Sequence, residues 1–244
     1  MIQAVAHRGA SSLAPENTLA AFRKAKELGA DAVELDVHLS ADGALVVHHD
    51  YALGHPDDGE GLIRNLSLSE IKGADAGSWF APRFAGERIP VLEEVFSEFG
   101  GAFDYEIELK GTTPDFLHKA VALVKRFRLL ERVQFTSPHT ALLSYLMHEY
   151  KEVNCGMFFY EYPDWMSAEL GEGIILDTAG LMPVHTAHLP CPVLTGTLVA
   201  ALHKKSVFVH ASNCNTREEM QKAICLACDQ FSTDDIQLAK TVIG

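Results

Sequence analysis

The chain has 244 residues, of which 48% are hydrophobic, and its 20 basic and 33 acidic side chains give a net charge of −13. This length suits either one (β/α)8 barrel of about 250 residues or two average domains. The acidic excess argues against nonspecific binding to nucleic acid or to an anionic membrane, because such binding depends on Lys and Arg. A small anionic substrate is compatible with it, since the charge at one site can oppose the net charge.

The N-terminus leads directly into an apolar run, with no basic segment before it. Together with the lack of a long apolar stretch, this predicts neither a signal peptide nor a transmembrane helix, and so no stable membrane insertion. The five cysteines are odd in number and all lie at or after Cys155. We therefore expect no disulfide framework and a cytoplasmic location.

Short β-rich runs alternate with helical segments along the chain. The runs predict strands at residues 3–7, 32–37, 104–109, 133–136, 154–159, 174–177, 206–210 and 227–231. The helical segments are at residues 17–28, 91–99, 115–129, 139–149, 197–204 and 216–225. This alternation is typical of a parallel α/β fold. Eight strands without a dinucleotide-binding turn or a P-loop favour a TIM (β/α)8 barrel over an open doubly wound sheet.

One segment departs from the alternation. Residues 34–50 hold two β-like runs joined by Asp42-Gly43, which predicts a hairpin with a two-residue turn. Such a turn would place Asp36 opposite His49, with Cβ atoms about 5 Å apart. Residues 51–90, with a short helix at 67–73, are interpreted as an insertion or cap within a single domain spanning 1–244.

Carboxylates occur two positions apart on two of the predicted strands, as Glu34 with Asp36 and as Glu106 with Glu108. Side chains two apart on a strand point to the same side, so each pair can converge on one centre. Carboxylate oxygens are the ligands that a hard divalent cation prefers. The sequence therefore predicts a metal site.

Histidines lie at the ends of neighbouring predicted strands, where they could move protons. His7 and His49 are the candidates. The side chain of His48 is expected on the opposite face of the strand from that of His49, so His48 is interpreted as structural. Glu16 and Asn17 are interpreted as the cap of the first helix and as support for the loop after His7.

The N-terminal half carries five polar blocks in a fixed order. They are His7-Arg8-Gly9, Pro15-Glu16-Asn17-Thr18, Glu34-Leu35-Asp36, His48-His49-Asp50 and Glu106-Ile107-Glu108-Leu109-Lys110. Together they resemble the glycerophosphodiester phosphodiesterase family over residues 7–110, with weaker similarity to about residue 236. The resemblance implies a TIM barrel whose site lies at the carboxyl ends of the strands. It also implies hydrolysis of a small-molecule glycerophosphodiester to sn-glycerol 3-phosphate and an alcohol, a step of glycerol and lipid metabolism.

The resemblance assigns roles to residues that match the family's motifs. These are the ligands of one divalent cation (Glu34, Asp36 and Glu108), the acid–base pair (His7 and His49) and the phosphate contacts (Arg8 and Lys110). Mg²⁺, Ca²⁺ and Mn²⁺ all accept such ligands. Glu106 replaces a common Asn; it is expected among the substrate-binding residues, where it either adds a negative charge near the cation or pairs with Lys110. His210 replaces the Trp of a late motif that ends at Asn213, and both are expected on the substrate's glycerol side.

Two other functions remain open at this point. One is lysophospholipase D or phosphoinositide phospholipase activity on the same barrel, and the other is a non-catalytic phosphate-binding barrel. The aromatic run at 158–165 could line the substrate mouth, mediate a homodimer or pack against the barrel.

Overall fold

The computed structural model describes residues 2–182 and 184–244. The strands within them are β1 Gln3–Ala6, β2 Ala32–Leu39, β3 Leu45–Val47, β4 Ala52–Leu53, β5 Gly61–Leu62, β6 Asp104–Leu109, β7 Val133–Ser137, β8 Asn154–Phe158, β9 Thr186–Pro190, β10 Phe208–Ser212 and β11 Gln230–Thr233. The α-helices are α1 Leu19–Glu27, α2 Leu68–Gly73, α3 Leu92–Phe99, α4 Pro114–Arg126, α5 Thr140–Glu149, α6 Ala168–Leu181, α7 Gly196–Lys204, α8 Arg217–Cys225 and α9 Ile236–Ile243.

Hydrogen bonding orders the main sheet β1-β11-β10-β9-β8-β7-β6-β2-β3, and β1 also pairs with β2. This is the closed topology of a TIM (β/α)8 barrel, with β3 added antiparallel to β2. The predicted fold class is confirmed. None of the helices in the described part of the chain combines the length and apolar character needed to span a membrane.

The described residues form two compact units, Ala6–Val133 and, with the residues up to Val5, Gln134–Gly244. In the first unit β2 and β6 pair in parallel, with Glu34 beside Glu106 and Asp36 beside Glu108. Alternate residues of each strand face the same side, so this register groups the carboxylates on one face.

The connection between β2 and β3 is five residues long, 40–44. Ser40 closes it, because its backbone N–H donates to the Ala44 carbonyl at 2.9 Å and its hydroxyl accepts from the Ala44 N–H at 2.8 Å. The predicted two-residue turn at Asp42-Gly43 is therefore wrong.

The longer connection shifts the hairpin register by one residue. Val37 pairs with Val47, and the backbone N–H of His48 donates to the carbonyl of Asp36 at 3.0 Å. The predicted pairing of Asp36 with His49 is wrong, because it assumed an even number of loop residues.

The segment 51–90 contains β4, β5 and α2, and it packs a small apolar cluster against β3. The cluster consists of Val46, Leu53, Ile63, Ile71, Ala74, Ala76 and Ile89. Ser67 caps α2 and forms a capping box with Glu70. The helix expected at 67–73 is confirmed, and the interpretation of 51–90 as an insertion or cap in a single domain stays a prediction.

The strand predicted at 174–177 is wrong, since these residues lie inside α6. Ser167 caps α6, and the buried Gly171, Ile175 and Ala179 follow one another at the helical spacing of four. The sixth barrel strand is β9, whose histidine-containing sequence gave no strand pattern. The predicted strands at 206–210 and 227–231 begin and end two to three residues early relative to β10 and β11.

Candidate active site

Three carboxylates converge at the carboxyl ends of β2 and β6. Glu34, Asp36 and Glu108 each place a carboxylate oxygen within 4.8 Å of the other two. Glu34 is 4% exposed and Asp36 is 1% exposed. Glu108 is half-buried, and three acidic side chains this close together are unfavourable without compensating positive charge.

Two cationic side chains adjoin the cluster. The Lys110 ammonium lies 3.1 Å from Asp36 Oδ1 and 2.7 Å from Glu108 Oε1. Arg8 Nε lies 3.4 Å from Asp36 Oδ2, and the backbone N–H of Arg8 donates to Glu34 Oε2 at 3.1 Å. Asp36 therefore interacts with both cations.

The unequal sharing of these cations appears in the pKa values. Burial raises the pKa of Glu34 well above its usual range, and the charge of Asp36 adds to the effect. Burial also raises the pKa of Glu108, again with Asp36 contributing. At Asp36, burial acts upward too, but Lys110 and Arg8 outweigh it and lower the pKa. The nearby cations therefore compensate the charges of Glu34 and Glu108 only in part, and this donor set fits a divalent cation.

The loop after β1 brings His7 to the cluster, with Nε2 3.9 Å from Glu34 Oε2. Arg8 takes a φ of 56° and Gly9 a φ of 85°. A Cβ at Gly9 would lie 2.7 Å from the Cβ of Ala21, so only glycine fits between this loop and α1.

Asn17 is a site residue that sequence reasoning did not assign. Its amide donates to Asp36 Oδ2 at 2.8 Å, and its backbone N–H donates to the Arg8 carbonyl at 2.9 Å. The interpretation of Asn17 as a helix cap is wrong, because Thr18 is the N-cap of α1. Glu16 does not cap the helix either, and instead pairs with the Arg8 guanidinium at 2.9 Å.

His49 lies just beyond β3 and retains 35% side-chain exposure. Its charge lowers the pKa of both Asp36 and Glu108, which places it near two of the three carboxylates. His49 Nδ1 faces Asp50 Oδ1 at 2.7 Å, an arrangement in which Nδ1 donates and Nε2 is left for proton exchange. Asp50 is thus a second site residue that sequence reasoning did not assign, although it ends the His48-His49-Asp50 block.

The side chain of His48 binds different partners. Its two ring nitrogens face the Asp50 carbonyl at 2.9 Å and Asp57 Oδ2 at 3.0 Å. Both partners are acceptors, so both nitrogens donate and the ring is cationic. Burial opposes this charge, but the hydrogen bonds to Asp57 and Asp50 outweigh it and raise the pKa of His48.

The remaining predicted site residues are Glu106, His210 and Asn213. Glu106 is 4% exposed on β6, one strand pleat before Glu108. His210 and Asn213 belong to the other compact unit. There the buried His210 ring stacks on His188 with centroids 4.3 Å apart, and the Asn213 N–H donates to Ser232 Oγ at 3.0 Å.

Comparison with known proteins agrees with this arrangement. The model of the glycerophosphoryl diester phosphodiesterase family matches residues 7–238. A glycerophosphodiester phosphodiesterase of Caldanaerobacter subterraneus is 35% identical over 237 residues, which cover 95% of this chain and 93% of the relative.

Solved structures give the same result. An Oleispira antarctica phosphodiesterase in complex with the product sn-glycerol-3-phosphate superposes with a TM-score of 0.87 at 28% identity, covering 99% of this chain and 96% of that one. A glycerophosphodiester phosphodiesterase from Agrobacterium tumefaciens gives a TM-score of 0.84 at 27% identity, covering 99% and 100%.

The family match and the relative of 35% identity make this barrel an enzyme of the phosphoric diester hydrolase class. The chain belongs to the glycerophosphoryl diester phosphodiesterase family, whose reaction is the hydrolysis of glycerophosphodiesters.

Proposed function

We propose that the enzyme hydrolyses glycerophosphodiesters to sn-glycerol 3-phosphate and an alcohol such as choline or ethanolamine, and that it does so with one divalent cation. The observation that carries the proposal is the group of the buried Glu34 and Asp36 with the half-buried Glu108, whose oxygens lie within 4.8 Å of one another. The Oleispira relative, which binds sn-glycerol-3-phosphate, supports the identity of the product.

Glu34, Asp36 and Glu108 are the proposed ligands, for Mg²⁺, Ca²⁺ or Mn²⁺. The bound ion supplies Lewis-acid polarisation of a phosphoryl oxygen. Arg8 and Lys110 offset the phosphate's negative charge, and the ion pairs that both make with Asp36 hold their side chains beside the ligands.

Phosphodiester hydrolysis requires that one proton be removed from the attacking oxygen and another be given to the leaving alkoxide. We assign these transfers to His7 and His49, which adjoin different carboxylates. His7 lies beside Glu34, and the charge of His49 acts on Asp36 and Glu108. Two imidazoles on different members of the cluster match a reaction with two proton transfers.

Glu106, His210 and Asn213 stay predicted substrate-binding residues, and the cytoplasmic location and the homodimer stay predictions as well. Lysophospholipase D activity is the second candidate. It is favoured by the aromatic side chains of Tyr160 and Trp165, which are 71% and 80% exposed and could contact an acyl chain. Turnover of glycerophosphocholine against lysophosphatidylcholine separates the two.

His7→Ala and His49→Ala are expected to lower turnover of glycerophosphocholine by about two to four orders of magnitude, because each removes one proton transfer. The measurement is release of sn-glycerol 3-phosphate, with circular dichroism to confirm folding. His118→Ala, at an exposed position of α4, is the control and should behave as wild type. Near-wild-type turnover of either site variant would refute the assignment of His7 and His49 as the acid–base pair.

A further inference from the structure

A buried pair of side chains fastens the segment that follows β3. His48 and Asp57 have side chains that are 5% and 1% exposed, and they meet at 3.0 Å between Nε2 and Oδ2. The other carboxylate oxygen of Asp57 accepts the N–H of Gly54 at 3.1 Å and that of Gly59 at 2.8 Å. Asp57 therefore closes the 54–59 loop and ties it to the end of β3.

The same pair is connected by hydrogen bonds to Asp50 and His49, the residues on which the acid–base assignment depends. The second ring nitrogen of His48 donates to the carbonyl of Asp50 at 2.9 Å. Asp50 in turn accepts from His49 Nδ1 at 2.7 Å. A continuous series of hydrogen bonds thus leads from Asp57 through His48 to the residue that orients the His49 ring.

The main chain of His49 is also held by His38, whose Nε2 lies 3.3 Å from the His49 carbonyl. The His49 side chain is 35% exposed, so its surroundings alone do not fix its position. By contrast, His48 and Asp57 are buried and bound at both ends, which makes them the rigid part of the segment.

We propose that His48 and Asp57 are positioning residues for the hydrolysis, and that they hold the His49–Asp50 segment so that the imidazole stays aligned with the carboxylate cluster. Neither residue touches the substrate in this role. The inference rests on the proposed acid–base function of His49.

The first experiment compares Asp57→Ala with Glu60→Ala, a control at an exposed carboxylate of the adjoining segment. Removal of Asp57 should lower kcat by about 10- to 100-fold, because a displacement of the His49 imidazole from its catalytic position slows the chemical step by about this factor. KM should change by less than about twofold, because substrate binding is not altered. A kcat of Asp57→Ala equal to that of Glu60→Ala would overturn the proposal.

A conservative variant separates geometry from charge. In Asp57→Asn the amide oxygen can accept from the Gly54 and Gly59 N–H groups while the amide nitrogen faces His48 Nε2, which accepts when the ring is neutral. This variant should recover most of the lost kcat. An Asp57→Asn enzyme as slow as Asp57→Ala would contradict positioning through this hydrogen-bond series.

His48→Gln covers the case in which Asp57→Ala does not fold. The glutamine amide still donates to the buried Asp57 carboxylate, so the fold should be retained. It cannot also reach the Asp50 carbonyl, so the orientation of Asp50 should be lost. We expect kcat about tenfold below wild type. A wild-type kcat in a folded His48→Gln enzyme would overturn the proposal.

The decisive measurement repeats Asp57→Ala in the His49→Ala background. If Asp57 acts through His49, the second substitution should lower kcat by less than about twofold there. An equal loss in both backgrounds would indicate general structural support and refute the inference. A wild-type enzyme that releases no sn-glycerol 3-phosphate would instead refute the proposed function, so the two failures are distinct.

Discussion

The two compact units bury polar side chains on parallel strands of the same kind, but they do so in opposite ways. Strands β2 and β6 bury the carboxylates of Glu34 and Asp36 beside Lys110. In the other unit, the amide of Gln134 donates to Thr186 Oγ1 at 2.8 Å and accepts from His188 Nε2 at 2.7 Å. The first group is charged, whereas Gln134 exchanges hydrogen bonds with a hydroxyl group and an imidazole ring.

This difference separates a group that holds buried charge from one that is joined by hydrogen bonds. Hydrogen bonds alone can satisfy neutral groups inside a barrel at modest cost, whereas buried charges cost several kcal/mol each unless they are paired. Glu34 and Glu108 have raised pKa values, caused first by burial and then by the charge of Asp36, so their pairing is incomplete. The incomplete pairing leaves this cluster suited to bind a cation.

The largest effect is expected for Asp36→Ala. It removes the carboxylate that faces both Arg8 and Lys110, and removal of one partner from a buried ion pair costs about 3–5 kcal/mol of unfolding free energy. Hydrolysis should also fall below detection, because a proposed ligand is lost. Urea unfolding and product release measure the two effects. The control is Glu27→Ala, which breaks the exposed pair with Lys24 and should cost less than about 1 kcal/mol. Equal stabilities of the two variants would show that the buried charges of the cluster contribute no more to stability than an exposed ion pair does.

Addition of a divalent cation tests directly whether the carboxylates of Glu34 and Glu108 are incompletely paired with positive charge. At a free concentration of 100 times the dissociation constant, Mn²⁺ should raise the unfolding free energy of the wild type by about 2.7 kcal/mol. The same addition should have little effect on Glu34→Gln, which lacks one proposed ligand. Treatment of the wild type with a chelator should abolish hydrolysis, and Mg²⁺, Ca²⁺ and Mn²⁺ can then be compared for its recovery. Metal-independent hydrolysis would refute the cation proposal.

A smaller loss is expected on the neutral side of the comparison. Gln134→Ala leaves the His188 ring nitrogen and the Thr186 hydroxyl each without one hydrogen bond, which should cost about 1–3 kcal/mol of unfolding free energy. Its affinity for Mn²⁺, measured by calorimetry, should equal that of the wild type. Reduced metal affinity in this variant would show that the two groups are not separable as proposed.

The smallest effect concerns Asp75, in the 51–90 segment. Its carboxylate accepts the N–H groups of Ser78 at 2.8 Å, Gly86 at 2.7 Å and Gly77 at 2.8 Å, and these bonds hold its pKa well below the usual range. Because the folded pKa lies below the unfolded one, the stabilisation is present above about pH 4 and is lost as the pH falls through the folded pKa. Asp75→Asn should therefore flatten the acid side of a stability profile measured by urea unfolding. An unchanged profile would argue against these bonds.

Sequence patterns predicted the elements that local stereochemistry controls. The alternation of Glu34 with Asp36 fixes which face of β2 is acidic, whatever β2 packs against. The barrel strands β1, β2, β6, β7 and β8 were predicted to within about two residues, and seven of the helices had the right positions. The prediction failed at 174–177, where an apolar run suits a strand and a buried helix equally.

Contacts between distant segments could not be obtained in this way. The hairpin register depended on the hydroxyl of Ser40, which bonds to the Ala44 N–H and lengthens the connection. The hydrogen bond from the Asn17 amide to Asp36 joins residues that are 19 positions apart, and neither the helical nor the strand periodicity of the sequence predicts it.

The sequence by itself therefore determined the barrel class, the chemical types at the site and the face on which they lie. Only the tertiary structure decided how the charges are shared, with Asp36 beside both cations and Glu34 and Glu108 left short of positive charge. The physical reason is that side-chain alternation follows from the backbone of one strand. Pairing and burial, in contrast, depend on atoms from several segments brought together by the fold.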